Sequence, residues 1–583
     1  MNNSVLNYPW NLGDLSMKKI GLLKKIIKNK NQDNYSLKVL GGYTFNNVSD
    51  WIKIFSFNNG ININIESSDW GKGYACSLNY LSQKTQYDII IVVNSWVDLI
   101  SKDEFTILNN DINEILNIYK TFIDFIFKNK VNCVFSLFDY PNFLETSDLY
   151  FSNKVKIDHL NTKLIKLIKP FNNIALIDPN SHLNYANIKS NFDERNWSLY
   201  GNLYDLDQSI FIGYQYSIPI RSFFGTSKKL LILDLDNTIW GGVIGDSNIS
   251  DIKINSDDPE GRLFLKFQYF IKSLKKKGIL LALCSKNNES IVVKAFNELN
   301  MPLKLSDFIA KRINWNNKHE NILDICKELN LSLDSVVFCD DNPTEREEVL
   351  SFLPAVSCPN IGKDPSKYIN ILDINQYFKN YLPLSNEDKK RSQSYKILKK
   401  QLISKSKFKN QNDFIKSLKL EITIENLNKK NIDRILQLIN KTNQFNLTTK
   451  RVTRKFLETD IKKKWKFVIR VKDKFGDHGI ISFIYGTTNK DIITIENWVL
   501  SCRVFNKNIE GSILLFLITK AFDFKHKEVN TMLIQNSKNI ELKNILTNIG
   551  FKISNSNLKN VFYNIKIHNY EINKNLIKIN DTR

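Results

Sequence analysis

The chain has 583 residues, is 42% hydrophobic and 12% aromatic, and carries a formal net charge of +22. At roughly 150 residues per domain this length predicts about three or four domains, each able to bury a core. It has no run of about 18 apolar residues to predict a transmembrane helix, and its start, "MNNSVLNYPWNLGDLSMKKIGLL", lacks the basic-then-apolar order of a secretory leader.

The first predicted domain spans residues 1–225. "SLKVLGGYTFNNVSDWIKIF" reads as strand, glycine turn and helix, and "ININIE", "YDIIIVVNSW", "VNCVFSLFD" and "NIALIDPN" as further strands. Helical stretches such as "NDINEILNIYKTFIDFIFKNK" lie between them, and that alternation predicts a parallel α/β sheet. The second domain, 226–382, repeats the pattern with "KLLILDL", "GILLALCS" and "SVVFCDD", each followed by a helical stretch. A Lys-rich helical connector is expected over 383–410. The last domain, 411–583, differs in kind: "WKFVIRVKDKFGDHGIISFIYGTTNKDIITIENWVLS" predicts three consecutive antiparallel strands, followed by a helix ("IEGSILLFLITKAF"), a strand and a further helix, hence α+β.

Lys, Asn and Ile are spread along the whole chain, so the basic charge reads as solvated faces; no nucleic acid and no membrane partner is expected. Such a surface suits an acidic protein or a phosphorylated substrate. Seven cysteines (Cys76, Cys133, Cys284, Cys326, Cys339, Cys358, Cys502) are scattered singly, which predicts a reduced, cytoplasmic chain without zinc or disulfides.

Chemistry concentrates in the second domain. "LLILDLDNTIWGGVIG" places Asp234 and Asp236 at the end of an apolar strand, and residues two apart in an extended chain point the same way. Two carboxylates so placed repel each other unless a cation lies between them. Ser285 in "LCSKNN", Lys318 in "INWNNKHEN", and Asp340 and Asp341 in "VVFCDDNPTERE" follow in order, at strand ends that gather on one edge of a parallel sheet. Together they make a phosphoryl-transfer set: a carboxylate nucleophile, an acid/base two residues on, a hydroxyl and an ammonium for phosphate oxygens, and hard oxygen ligands for Mg²⁺.

This set resembles the haloacid dehalogenase superfamily. "LDLDNTIWGGVIGD", "ILLALCSKNNES", "RINWNNKHENI", "VVFCDDNPTEREEV" and "KTNQFNLTTKR" resemble its FkbH family more closely, over most of residues 193–551, with "DERNWSLYGN" before the motif strand. The resemblance implies a capless Rossmann-like parallel sheet with Asp234 as nucleophile and Asp236 as general acid/base. Thr238 and Ser285 would bind phosphate and Lys318 would neutralise it. Mg²⁺ would be held by Asp234, Asp340, Asp341 and the backbone carbonyl of Asp236. The implied activity takes the glyceryl unit of 1,3-bisphosphoglycerate, loads it on an acyl carrier protein as a thioester, and removes the remaining phosphate. Two alternatives stay open: a phosphatase of a phosphorylated sugar or small metabolite, and a non-catalytic scaffold that recruits a carrier protein.

Acyl transfer calls for a thiol, and Cys284 beside Ser285 is the candidate, with a small buried strand residue as the competing reading; Cys339 is read as packing. Residues 1–225 resemble a degenerate SGNH-hydrolase-like domain. Gly41, Gly42 and Tyr43 stand where a hydrolase carries its serine, and Asn94, Asp178 and His182 echo its other positions. The last domain resembles the GNAT acetyltransferase fold, but "RVFNKNIEG" keeps Arg503 while Asn506 and Asn508 replace the glycines of a pyrophosphate loop, so binding of a pantetheine arm or carrier is expected rather than acetyl transfer.

Overall fold

The computed structural model describes residues 6–28, 34–41, 43–67, 72–82, 87–99, 109–140, 148–179, 181, 194–244, 249–381, 411–442, 445–501, 504, 507–535, 539, 542–557, 560–567 and 577–583. Gly42, His182, Arg503, Asn506 and the expected connector 383–410 lie outside them. The chain forms two compact units, Met1–Ser227 with Ser357–Pro383, and Lys228–Val356 with Leu384–Arg583.

The first unit holds β1 (Asn34–Leu40), β2 (Asn62–Ser67), β3 (Ile89–Val92), β4 (Asn132–Ser136) and β5 (Ile174–Ile177), all parallel, in the order β2-β1-β3-β4-β5. β3 is four buried apolar residues, as a strand covered on both faces must be. One face packs under the helices Asn46–Asn58 and Leu206–Phe223, the other under Asn109–Asn129 and Asp148–Ile168. The helix Leu206–Phe223 is buried along nearly its whole length, and Asp205 caps it by accepting from Gln208 N at 2.7 Å. The helix Tyr368–Asn375 belongs to this unit: Asn375 Nδ2 donates to Tyr8 O (2.8 Å) while its Oδ1 accepts from Tyr8 N (2.9 Å).

The second unit holds two sheets. The first consists of β6 (Leu230–Leu233), β7 (Leu280–Ser285), β8 (Ala310–Ile313) and β9 (Val336–Cys339), all parallel, in the order β8-β7-β6-β9. The interval between β7 and β8 carries the helix Glu289–Glu298 and one 3₁₀ turn, too little for a cap domain. The second sheet has eight strands: β10 (Glu421–Glu425), β11 (Trp465–Asp473), β12 (Gly476–Asn489), β13 (Ile492–Leu500), β14 (Glu528–Ile534), β15 (Lys552–Ser556), β16 (Asn560–Lys566) and β17 (Lys578–Asp581). β11, β12 and β13 form the expected antiparallel meander. The helix Ile509–Asp523 then leads to β14, which pairs parallel to β13. At Gly486 an added Cβ would lie 1.9 Å from Thr494 O, so this register admits only glycine. The fold is therefore multidomain α/β with a C-terminal α+β sheet.

Candidate functional site

The four-stranded sheet brings its polar residues to one edge. β6 is four buried aliphatic residues, and Asp234 is the first residue beyond it. The chain then turns tightly: Thr238 N and Ile239 N both bond to Leu235 O (3.1 and 2.9 Å). Asn237 adopts φ +50° and accepts from Gly242 N at 2.9 Å. Gly241 and Lys253 exchange backbone bonds of 3.0 and 2.9 Å, which closes a short flap after the motif strand. A side chain at Gly241 would strike the Phe264 ring at 2.8 Å.

One carboxylate oxygen from each of Asp234, Asp340 and Asp341 lies within 4.8 Å of the other two. Lys318, the first residue of the helix Lys318–Leu329, reaches into the same space, with Nζ 3.2 Å from Asp234 Oδ1 and 2.5 Å from Asp340 Oδ2. Oδ1 of Asp234 is buried and accepts no hydrogen bond, so a lone pair faces the Lys318 charge and the acid cluster. Burial pushes the Asp340 carboxyl up to about 7, aided by the charge of Asp234 and opposed by Lys318. Asp341 is raised by burial and then by Asp234. Burial also pulls on the Lys318 ammonium, but Asp234 and Asp340 outweigh it and hold the lysine charged well above its ordinary range. Three converging hard oxygen donors, one of them without a hydrogen-bond donor, are a donor set that fits Mg²⁺.

Asp236 faces a different set of partners. Its Oδ1 accepts from Trp240 Nε1 (2.9 Å) and Ile244 N (3.2 Å), both in the flap, and its Oδ2 accepts from Asn287 Nδ2 (3.0 Å). Burial raises its pKa while those three donors lower it. Its side chain is outside the three-acid cluster. Asn287 also donates to Ser285 Oγ (3.1 Å), tying the expected phosphate-binding hydroxyl to the expected acid/base. Thr238 is buried, and its Oγ1 accepts from Asp341 N at 3.3 Å.

Asn287 and Arg346 went unrecognised in the sequence. Arg346 donates 2.7 Å bonds to the carbonyls of both Asp340 and Asp341, which fixes the acidic turn. Asn342 N donates to Asp340 Oδ1 at 2.9 Å. The only available signal was spacing, with Asn287 two residues after Ser285 and Arg346 one helical turn beyond the acids.

Cys284 is wholly enclosed within β7, with Sγ 3.8 Å from Lys318 O. Burial raises its thiol far above the usual range, and the nearby Lys318 lowers it by less. The thiol is therefore held protonated, not as the thiolate that acyl transfer needs. Cys339, also buried, lies within β9.

Of the positions singled out in the first domain, Tyr43 and Asn94 are internally bonded. Tyr43 donates to Asp98 Oδ2 (2.7 Å), and Asn94 donates to Ser136 O (2.6 Å) and accepts from the Tyr119 hydroxyl. Asp98, unnoticed in the sequence, is raised to about 7, chiefly by burial. At the start of the helix Ile509–Asp523, Asn508 adopts φ +57°, the conformation a glycine would take in a phosphate loop. The first turn of that helix also carries Glu510, whose carboxyl is raised by burial.

The parallel sheet, the acids at its carboxyl edge and the buried lysine define a phosphatase site of the haloacid dehalogenase type. The chain is similar to the N-terminal part of the protein BF1531 from Bacteroides fragilis, which contains a phosphatase domain and was crystallised with Mg. The two are 25% identical with a TM-score of 0.56, over 63% of this chain and 99% of that one. Smaller likenesses link it to the ribosomal-protein-S18-alanine N-acetyltransferase of Escherichia coli (10% identical, TM-score 0.21, 25% of this chain and 94% of that one) and to an N-acetyltransferase of Staphylococcus aureus Mu50 (17%, 0.20, 25% and 99%). No family model and no curated protein matches the sequence.

Proposed function

We propose that the chain is a Mg²⁺-dependent phosphatase whose nucleophile is Asp234. The observation that carries this reading is the buried Asp234 Oδ1, which accepts no hydrogen bond and lies 3.2 Å from Lys318 beside Asp340 and Asp341. Asp234 attacks phosphorus and forms an aspartyl-phosphate as the ester oxygen leaves. Asp236, whose protonated form burial favours, gives its proton to that oxygen and then takes one from the water that hydrolyses the intermediate. Lys318, Thr238 and Ser285 meet the phosphoryl oxygens. Asp234, Asp340 and Asp341, with the backbone carbonyl of Asp236, would hold Mg²⁺, which when bound neutralises phosphoryl charge.

The finer reading is glyceryl transfer from 1,3-bisphosphoglycerate to an acyl carrier protein, with loss of the second phosphate. The short β7–β8 interval supports it, because a capless site admits a carrier-borne arm. The burial of Cys284 favours direct attack by the carrier's own thiol over a cysteine-bound intermediate.

The test is phosphate release from an aryl phosphate, with and without chelator, by wild type and Asp234→Asn. An amide is a poor nucleophile, so a loss of at least about 10³-fold is expected. Release by the variant close to wild type, or full turnover in excess chelator, overturns the assignment. Intact-mass analysis of a carrier protein incubated with enzyme, Mg²⁺ and 1,3-bisphosphoglycerate then tests the finer reading separately.

A further inference from the structure

The helix Leu12–Lys28, "LGDLSMKKIGLLKKIIK", has two faces that do different things. Leu12, Leu15, Leu22, Leu23 and Ile26 turn inward and pack with Trp51, Phe55 and Tyr214 of the first unit. That spacing is an ordinary inner stripe. The opposite face should be polar, but Met17, Ile20 and Ile27 are 78%, 67% and 75% exposed, and at intervals of three and seven residues they share one side. Lys24 and Lys28 lie on that same side and Lys25 flanks it.

The lysines fall into two groups. Lys18 pairs with Asp14 (3.2 Å) and Lys19 with Asp50 (2.9 Å). Among the described residues Lys24, Lys25 and Lys28 have no carboxylate within ion-pair distance. The outer face thus combines exposed aliphatic side chains with unneutralised positive charge, and it calls for an apolar and anionic counterpart.

Size decides what kind. Seventeen residues make a ridge roughly 26 Å long and about 10 Å wide, or about 250 Å². A specific protein partner needs about 800 Å² on each side. A lipid surface has no such threshold, because it deforms around a convex ridge and accepts apolar side chains between headgroups whose phosphates attract lysine.

We propose that the outer face of the helix Leu12–Lys28 docks the protein on an anionic lipid surface, with Met17, Ile20 and Ile27 inserted between headgroups and Lys24, Lys25 and Lys28 on lipid phosphates. No membrane partner is expected from the sequence, which has no apolar run that spans a bilayer, and no described helix is long and apolar enough to do so. Lying on the surface needs no such run. A contact this small is reversible and weakens as salt rises.

The experiment is co-sedimentation of the full chain with vesicles of equimolar phosphatidylcholine and phosphatidylglycerol, against phosphatidylcholine alone. Binding to the first and not the second is expected, with loss at high salt. The variant Lys24→Gln/Lys25→Gln/Lys28→Gln should weaken binding about 100-fold, and Met17→Ser/Ile20→Ser/Ile27→Ser at least about tenfold. All six side chains point away from the core, so both variants should fold as wild type does. Absence of binding, equal binding to neutral vesicles, or unchanged binding by both variants overturns the proposal. So does light scattering that shows a dimer which the serine variant dissolves, because a second copy would then cover this face.

Discussion

Replacing Lys318 by Met tests the electrostatic account of the site most directly. The ammonium is almost fully buried between Asp234 at 3.2 Å and Asp340 at 2.5 Å. At an effective dielectric of about 20, the longer of these contacts alone amounts to about 5 kcal/mol of gross attraction (332 divided by 20 and by 3.2). Much of that offsets the cost of burying the charges, so the pair's net worth is smaller. Removing one partner is different, because it leaves the carboxylates buried and uncompensated, at a cost of roughly 3–5 kcal/mol. The sign with pH follows. Asp340 is already raised to about 7 with the lysine present, and without it Asp340 and Asp341 rise further. Acids whose folded pKa is raised contribute stability that is present at low pH and lost as pH rises through the folded value. The variant should therefore be destabilised most at pH 8 and least near pH 5, and added Mg²⁺ should restore part of the loss. Hydrogen exchange in β6 and β9, measured in chelator at both pH values, reads this locally in a chain of several domains. Opening free energies within about 1 kcal/mol of wild type at pH 8 would mean that Lys318 is not the counter-ion of a buried acid pair.

Three further outcomes are expected. Asn287→Ala removes a donor that lowers the Asp236 pKa, so the alkaline limb of kcat/KM should move to higher pH while kcat falls; an unmoved limb excludes Asn287 as a positioning residue. Cys284→Ala should leave both phosphate release and carrier loading intact at a stability cost of order 1 kcal/mol, and loss of loading alone would reinstate the covalent thiol. Asp98→Asn replaces a carboxyl raised to about 7 by burial, whose stabilising contribution is present below about pH 4 and lost as pH rises through about 7. Opening free energies from hydrogen exchange in β1 and β3 should then fall less in the variant than in wild type between pH 5 and pH 8, and parallel curves would exclude Asp98 as the source.

What could be read from the sequence was the chemistry carried by short segments. β6, β7 and β9 announce themselves as apolar runs, with Asp234 directly after β6, Asp340 and Asp341 directly after β9, and Ser285 at the end of β7, so strand and site come from the same few letters. The antiparallel meander was legible for the same reason, since its strands are joined by tight turns. Partners far apart in sequence were not. Asn287 meets Asp236 across 51 positions, and neither residue carries a mark of the other. Asp98 looks like an ordinary turn acid until Tyr43, 55 positions away, donates to it. The segment Ser357–Pro383 returns to the first unit, where Asn375 bonds to Tyr8, 367 positions away. Cys284 turned on where a strand stops: β6 ends before Asp234 and exposes it to the site, whereas β7 runs on through Ser285 and keeps Cys284 inside.

The same strand ends explain why the site holds its charges as it does. Asp234, Asp236, Asp340 and Asp341 against Lys318 would give a formal charge of −3 if all were ionised, in a place that must receive a phosphoryl group. Burial already resists that state, since Asp236, Asp340 and Asp341 are all raised. A divalent cation brings the sum to −1, and a proton on Asp236 brings it to zero. On the proposed assignment of Asp236 as general acid, the proton it needs is thus the one that lets a phosphate dianion enter. Asn287, Trp240 and Ile244 set how tightly that proton is held, and two of those three belong to the flap. The flap therefore bears directly on the Asp236 carboxyl. With no cap over the β7–β8 interval, the features that choose the leaving group must lie outside these five residues.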